Sequence, residues 1–254
     1  MKTSNRPNET VKTVYNALDI LEILACGHEN LRLTTISKKS GINKTSTYKI
    51  LSTLADFGYI QKDEETNRYR LGNKLLDMPN YILNHSDFSQ IALPFMKDMY
   101  QKTQQTINLM MLIGSKGYYA AILRAPDYTC VNHVGEQEHL YATALGKAIL
   151  SNLPLSRVEE ILKIDPPVAL VDKTIVDPVI LYEDLASARK RGFAIDDEES
   201  RENARCISAP IFNSEGILGS ISISGNATQI SISKLFEYSS LITETAKELS
   251  MKLC

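Results

Sequence analysis

The amino-acid sequence predicts an α+β protein with two domains, and three observations support this prediction. Residues 31–71 have the pattern of two short helices around Gly41 followed by a small hairpin, which is typical of a winged helix-turn-helix. From residue 88 onwards, helices and hairpins are mixed, an order that favours an antiparallel sheet. A length of 254 residues is enough for two domains with separate cores.

These patterns also give the expected boundaries. Residues 1–10 are polar and are predicted to form a disordered tail, and residues 11–72 form the winged helix-turn-helix domain. Residues 73–87 are predicted as a linker helix with Pro79 as a possible kink. Residues 88–254 then form the second domain.

The charge of the chain is unevenly distributed. Residues 1–72 carry a net charge of +3 and residues 73–254 a net charge of −5, against −2 for the whole chain. A basic front and an acidic rear fit a protein that contacts nucleic acid at one end only. The sequence has neither an apolar leader nor a run long enough to span a membrane, which predicts a cytoplasmic protein. Its four scattered cysteines form no Cys-x-x-Cys pair, so no zinc cluster of paired cysteines is expected.

Apolar spacing and capping residues predict the helices of the first domain. A first helix is expected over Val11 to Ala25, ended by Gly27. The second helix is expected to be capped by Thr34, and the third, from Lys44 to about Phe57, by Asn43. Five residues of the third helix are predicted to face the core: Thr47, Ile50, Leu51, Leu54 and Phe57.

The first domain has the charge expected of a DNA-binding surface. The stretch from Asn30 to Ala55 holds five basic residues and no acidic one, a balance that attracts a phosphate backbone. Short hydroxyl side chains at the start of the third helix can reach phosphates and base edges. The predicted DNA contacts are Lys44, Thr45, Ser46, Tyr48, Lys49, Arg68 and Arg70. Two alternatives stay open: a core helix with a solvated polar face, and a sensory module whose helix-turn-helix makes protein contacts only.

The second domain is predicted to combine two hairpins with flanking helices. A helix capped by Asp177, with Pro178 at its first position, is expected to end at Gly192. The other predicted helices cover Phe88 to Lys102, Ala142 to Leu150 and Ile230 to Leu253, and the hairpin strands cover Ile107 to Ile113, Tyr118 to Arg124, Cys206 to Phe212 and Ile217 to Ser224.

Parts of this domain have the composition of a small polar pocket. In residues 220–224 serine and isoleucine alternate, so the serines share one face of a strand. A helix starting near Thr143 offers the backbone N–H groups of Ala144 and Leu145, which suit a carboxylate. The hydroxyl groups of the serines and the carboxylate of Asp196 could bind hydroxyl or keto groups of a ligand. The alternatives are a solvent-facing strand, a buried Cys206 without a role, and a solvated acidic turn at residues 196–199. Lys147 is expected in a surface or helix contact.

Several motifs resemble the IclR-type bacterial transcriptional regulators. These are LTTISKKSGINKTSTYKILSTLADFGYI with YRLGNKLLDM, then YATALGKAIL, RGFAIDDEESRENARCISAP and GSISISG, in the same order over about residues 11–225. Two positions depart from the family pattern. Asn203 stands where glycine is usual, although asparagine tolerates a positive φ, and Lys49 replaces an arginine, which keeps the charge but loses bidentate geometry.

This resemblance implies a GAF-like second domain that binds a small organic acid. The matching binding positions are Ala144, Leu145, Asp196, Cys206, Ser222 and Ser224. It also implies dimerisation through the first domain and tetramer formation through the second. The predicted function is a transcriptional repressor that binds double-stranded operator DNA and responds to a keto acid or sugar acid.

The sequence gives little support to the hypothesis that the protein is an enzyme. Cys206 could act as a nucleophile with His133 or His139 as base, but nothing places them together and no Gly-x-Ser-x-Gly elbow occurs. The same three residues could in principle bind a metal, although their spacing is not diagnostic. No phosphate-binding glycine loop occurs either, so no catalysis and no cofactor are predicted.

Overall fold

The computed structural model describes residues 11–26, 30–76, 78, 87–126 and 132–254. The chain divides into two compact units, residues 1–79 and 80–254. The predicted tail, the helix end at Gly27 and the kink at Pro79 lie outside the described residues. Within these ranges, no helix combines the length and apolarity needed to cross a membrane.

The first unit is a three-helix domain with a small sheet. Its elements are α1 (Lys12–Ala25), β1 (Leu31–Arg32), α2 (Leu33–Ser40), α3 (Lys44–Asp56), β2 (Ile60–Asp63) and β3 (Arg68–Leu71). The strands pair antiparallel in the order β1-β3-β2. A 3₁₀ helix follows at Asn73–Leu76, where the linker helix was predicted to begin.

Local signals placed the turn between α2 and α3 correctly. Gly41 adopts a left-handed φ of 70°, which permits a tight turn. Asn43 caps α3, because its Oδ1 accepts a hydrogen bond from the Ser46 N–H at 2.8 Å. The predicted cap at Thr34 was wrong: α2 begins at Leu33, with Arg32 as the extended residue before it. The reason is that Arg32 is held in β1, opposite Arg68 of β3.

The core of the first unit lies between the three helices and the sheet. Ile20 of α1, Ile36 of α2 and Leu51 of α3 are fully buried there, and Tyr69 of β3 joins them. The prediction that Phe57 faces the core was wrong, since its side chain is 69% exposed. Phe57 follows the last residue of α3, so it no longer lies on the face that the helix buries.

The second unit is built on one six-stranded antiparallel sheet. The strands are β4 (Thr106–Ile113), β5 (Lys116–Leu123), β6 (Gln137–Glu138), β7 (Ala194–Asp197), β8 (Ala204–Asn213) and β9 (Gly216–Asn226). Their order across the sheet is β6-β5-β4-β9-β8-β7. Both predicted hairpins are present, but β6 and β7 were not predicted as strands.

Helices cover both faces of this sheet. They are α4 (Asp87–Thr103), α5 (Ala144–Leu150), α6 (Leu155–Ile164), α7 (Pro178–Arg191), α8 (Ile232–Glu237) and α9 (Ser239–Leu253). One core joins α4, α8 and α9 to the face that carries Ile221 and Ile223. A second core joins α5, α6 and α7 to the sheet around Met110 and Tyr119.

The helix boundaries were predicted with mixed success. Asp177 caps α7 and Gly192 ends it with a φ of 84°, as expected. The prediction of a single closing helix was wrong, because the helix is interrupted at Tyr238, which separates α8 from α9. The helix α6 was not predicted, and α5 starts at Ala144 rather than Ala142 because Thr143 is its cap.

Candidate functional site

The outer face of α3 is a continuous polar surface. Lys44, Thr45, Tyr48 and Lys49 are exposed, and Tyr48 retains 56% of its accessible surface. Ser46 is half-buried. On the opposite face, Thr47 is fully buried and donates a hydrogen bond to the Asn43 carbonyl at 3.0 Å. The helix is therefore anchored on one side while its charged side stays free to approach a partner.

The two predicted wing arginines differ. Arg70 is exposed on β3, whereas Arg68 is half-buried. The Arg68 Nη1 donates a hydrogen bond to the Asn30 carbonyl at 3.0 Å, which directs part of the guanidinium back towards the β1 end of the sheet. Arg70 is therefore the more available of the two for a phosphate.

The second unit contains a polar pocket between its sheet and the start of α5. The pocket is small, with a volume of about 30 Å³. The structure brings all six predicted binding residues to its wall: Ala144, Leu145, Asp196, Cys206, Ser222 and Ser224. Their role as ligand contacts stays a prediction.

Strand register explains how these side chains meet. Ser224 of β9 lies opposite Cys206 of β8, and Cys206 lies opposite Asp196 of β7. Ser222 lies opposite Asn108 of β4 on the other side of β9. Residues opposite each other point to the same face, so a row of polar groups crosses four strands. Both serines are at most 2% exposed, which excludes the solvent-facing alternative.

Asp196 is held firmly at the end of this row. Its Oδ1 accepts a hydrogen bond from the Glu199 N–H at 2.7 Å, and its Oδ2 accepts one from the Ser200 hydroxyl at 2.5 Å. Burial raises the pKa of Asp196, although these hydrogen bonds and the charge of Lys147 oppose the rise. Asp196 and Glu199 are both buried, so this stretch is not the solvated acidic turn of the alternative interpretation. In the loop that follows, Asn203 adopts the positive φ (59°) that its position requires.

The first turn of α5 approaches the pocket very closely. The Thr143 hydroxyl caps the helix by accepting a hydrogen bond from the Gly146 N–H at 3.0 Å. A Cβ on Gly146 would lie 2.3 Å from the Leu140 carbonyl oxygen, so only glycine permits this contact. The backbone of Ala144 and Leu145 is thereby fixed at the pocket wall, and N–H groups at a helix start lack intrahelical acceptors.

A buried ion network lies behind this wall. Lys147 is fully buried, so its expected surface position was wrong, but it does contact another helix. Its Nζ lies 2.5 Å from Glu199 Oε2 and 2.8 Å from Asp184 Oδ2 of α7, the latter an ion pair without hydrogen-bond geometry. Burial raises the pKa of Glu199 to about 7, and the Lys147 charge partly offsets that rise. Through Glu199 and Asp196, the network is linked to the pocket.

Other pocket residues were missed from the sequence. They are Asn108, Tyr119, Asn132, Thr143, Glu138, Ser200, Arg201 and Ala204. Burial raises the pKa of Glu138, and that of Tyr119 well above its usual range. One signal was available: Asn108 is a polar residue inside the apolar run of Ile107 to Ile113, where a buried amide needs a reason.

The structure does not assemble the enzymatic or metal alternatives. Cys206 lines the pocket, whereas His133 and His139 do not. The His139 Nδ1 instead contacts the Asp165 carboxylate at 2.9 Å. Across the part of the chain that the structure describes, no group of three or more His, Cys, Asp or Glu side chains could hold a metal ion.

A helix-turn-helix unit and a pocket-bearing unit together define a DNA-binding regulator, and comparison with known proteins gives its family. Residues 13–64 match the IclR helix-turn-helix domain, and residues 80–251 match the bacterial transcriptional regulator IclR C-terminal domain. The chain therefore belongs to the IclR family of transcriptional regulators, as the motifs indicated.

Individual relatives extend over nearly the whole chain. The regulator BhcR of Paracoccus denitrificans is 30% identical, covering 94% of this chain and 86% of that protein. The transcriptional repressor IclR of Escherichia coli is 26% identical, covering 95% and 89%. The crystal structure of Thermotoga maritima IclR is 30% identical, covers 96% and 99% of the two chains, and has a TM-score of 0.65.

One further structure concerns a ligand. An IclR homologue from Microbacterium hydrocarbonoxydans, complexed with 4-hydroxybenzoate, is 18% identical and covers 95% and 98% of the two chains with a TM-score of 0.69. At this identity the likeness concerns the fold.

Proposed function

We propose that this IclR-family regulator is a repressor whose affinity for its operator is set by a small organic acid. The observation that supports the proposal best is the pocket itself, where Asp196, Cys206, Ser222 and Ser224 meet the first turn of α5. A small pocket with a few convergent polar groups is the usual form of a ligand site. The Microbacterium homologue, with its aromatic acid, supports an acid as the ligand class.

The chemistry of the wall supports one orientation of such a ligand. The backbone N–H groups of Ala144 and Leu145 would receive the carboxylate, because they present donors without intrahelical acceptors. The hydroxyl groups of Ser222 and Ser224 and the thiol of Cys206 would contact the rest of the molecule. Asp196, held by Ser200, would orient a polar group of the ligand.

On the DNA side, we propose that α3 enters the major groove. Lys44, Thr45, Ser46, Tyr48 and Lys49 would then contact phosphates and base edges, and Arg70 with Arg68 would contact phosphates from the wing. A dimer would place one α3 in each half of a roughly palindromic operator. Dimerisation through the first unit and tetramer formation through the second are part of this proposal.

Regulation then requires only that the acid bind one arrangement of the paired DNA-binding units better than another. Such a coupling changes operator affinity by about 1–3 kcal/mol, and operator binding changes acid affinity by the same factor. Repression is supported by the Escherichia coli relative, whose name describes a repressor.

A two-part experiment tests this function. Binding of the full chain to duplex DNA should weaken steeply as salt rises, because phosphate contacts release counterions. A thermal-shift screen of small organic acids, with and without operator, should find an acid that changes operator affinity. A helix-turn-helix used for protein contacts only would instead show no binding, or binding insensitive to salt.

Variants then locate the site. Ser222→Ala and Asp196→Ala should abolish the acid response and leave operator binding unchanged. Ser214→Ala and Asp172→Ala are matched controls, since both residues are exposed and neither lines the pocket. Acid-induced thermal shifts that persist in both pocket variants would place the site elsewhere.

A further inference from the structure

The pocket contains two buried carbonyl oxygens that lack a donor. The Asn108 side chain is 3% exposed, and its Nδ2 donates hydrogen bonds to Ser222 Oγ at 3.2 Å and Ser224 Oγ at 3.0 Å. This orientation of the amide leaves Asn108 Oδ1 buried without a hydrogen-bond partner. The Asn132 Nδ2 donates to the Tyr119 hydroxyl at 2.7 Å, and its Oδ1 is likewise buried and unpaired.

The location of these two oxygens indicates that they are not packing defects. The structure describes only two other buried side-chain atoms of this kind, Asp184 Oδ2 and Arg191 Nη2. Both belong to the ion network behind α5, where Asp184 still has the charge of Lys147 as a partner. Asn108 and Asn132 both line the ligand pocket. A buried acceptor without a donor is unfavourable, so the arrangement suits a state in which something in the pocket donates to both.

The neighbouring groups add further acceptors to the same wall. The Glu138 carboxylate is half-buried at the pocket, and its closest charged partner, Arg201 Nη2, is 3.9 Å away, too far for a hydrogen bond. The Asn108 amide nitrogen is already used by two serine hydroxyls. Three acceptor groups therefore line this side of the pocket, Asn108 Oδ1, Asn132 Oδ1 and the Glu138 carboxylate, together with the Arg201 guanidinium.

We infer that the acid sensed by this protein carries at least two hydroxyl groups, which donate to Asn108 Oδ1 and Asn132 Oδ1. This inference rests on the proposed function and makes it more specific, since it selects a hydroxylated acid over a keto acid. A keto oxygen can only accept, so next to these carbonyl oxygens it would be repelled and would leave them unpaired. Asn108 and Asn132 are then the residues that determine specificity.

Isothermal titration calorimetry of the full chain with matched acids tests this inference. The probes are glycerate, which carries two hydroxyl groups, its keto partner hydroxypyruvate, which carries one, and pyruvate and propionate, which carry none. We expect glycerate to bind about tenfold more tightly than hydroxypyruvate, as loss of one buried hydrogen bond predicts. Pyruvate and propionate should bind more weakly still.

Variants connect this preference to the two amides. Asn108→Ala and Asn132→Ala should each reduce the ratio of hydroxy-acid to keto-acid affinity by about fivefold or more, mainly by weakening the hydroxy acid. Asn213→Ala is the matched control, because Asn213 ends β8 outside the pocket, where its Oδ1 accepts a hydrogen bond from the Glu215 N–H. Asn132 lies in no helix or strand, so Asn132→Ala provides the test if the strand variant fails to fold.

The outcomes separate the two levels of the proposal. Equal or tighter binding of the keto acids would overturn this inference and leave an acid-sensing pocket in place. The same holds for an affinity ratio that neither variant changes. If no acid of the panel binds and none alters operator affinity, both the inference and the proposed acid response fail, while salt-dependent DNA binding remains as a separate result.

Discussion

The exposed face of α3 and the pocket beside α5 are built in opposite ways. The α3 face consists of consecutive residues of one helix, and its lysines and Tyr48 stand in solvent. The pocket takes its residues from all six strands of the second unit and the α5 turn, with Asn108 and Ser224 116 positions apart, and Ser222, Ser224 and Asp196 are buried. A solvated surface can change one residue at a time without loss of the fold. A substitution in a buried polar site also lowers stability, because each of its groups also satisfies a neighbour.

This contrast predicts that substitutions separate into two kinds. Substitutions on the exposed face of α3 should change DNA affinity and leave the free energy of unfolding unaffected. Substitutions in the ion network behind the pocket should change both the free energy of unfolding and binding. Four predictions test this division, beginning with the largest expected effect.

Removal of the buried cation should destabilise the second unit most. Lys147→Ala leaves Glu199 and Asp184 without their partner in the interior, which typically costs about 3–5 kcal/mol. Urea-induced unfolding of the full chain measures the change. The matched control is Lys173→Ala, whose ion pair with Glu198 is exposed and should contribute less than about 1 kcal/mol. Equal effects of the two substitutions would contradict the division.

The same network should make stability depend on pH. Because burial raises the pKa of Glu199 from 4.5 to about 7, the folded state binds this proton more tightly than the unfolded state does. Its stabilising contribution is complete below about pH 4.5 and is lost as the pH rises through about 7. Charges facing the carboxyl come from Lys147, Asp196 and Asp184.

Glu199→Gln keeps the neutral form at every pH and should remove this dependence. Relative to the variant, the natural chain should lose about 2–3 kcal/mol between pH 4.5 and pH 8, as measured by urea unfolding. Glu198→Gln is the control, since a hydrogen bond from Lys173 lowers the pKa of Glu198 and gives the opposite sign. A natural chain and a Glu199→Gln variant with the same pH profile would argue against a titrating Glu199.

Substitutions on α3 should affect DNA binding alone. Tyr48→Ala combined with Lys49→Ala removes two exposed groups, and we expect a loss of about 1–2 kcal/mol in binding free energy and a salt slope smaller by about 1. Fluorescence anisotropy with duplex DNA measures both quantities. Lys116→Ala, at the exposed start of β5 in the second unit, provides a charge-matched control. A lower unfolding midpoint in the double variant would mean that this face is structural.

The smallest effect concerns the α3 cap. Asn43→Ala removes the acceptor for the Ser46 N–H and should destabilise the first unit by about 1 kcal/mol, with a matching but small loss of DNA affinity. Thermal unfolding measures the change. Asn43→Ser preserves a capping oxygen and should restore most of the stability; failure of serine to do so would show that the cap is not the cause.

Prediction from the sequence succeeded where a short stretch carries the signal. The turn at Gly41, the cap at Asn43, and both ends of α7 are local features, and the structure confirms them. Prediction failed where contacts between segments distant in the sequence determine the local structure. The pairing of β1 with β3 moved the start of α2 away from Thr34, and no local pattern signals that contact.

The pocket shows the same limit in its chemistry. Motif positions named six of its residues, and those six do lie together, but Asn108, Asn132 and Glu138 come from strands and loops without a motif. The ion pairs of Lys147 could not be predicted from the sequence either, because the sequence does not indicate that a lysine in a helix is buried.

The family, the two-domain α+β architecture and the basic recognition helix can thus be read from the order of the residues, because periodicity, caps and charge act over a few positions. The composition of the pocket, its unpaired amide oxygens and the raised pKa of Glu199 depend on which groups lose water together. Burial is a property of packed neighbours from distant parts of the chain, and only the folded arrangement fixes those neighbours.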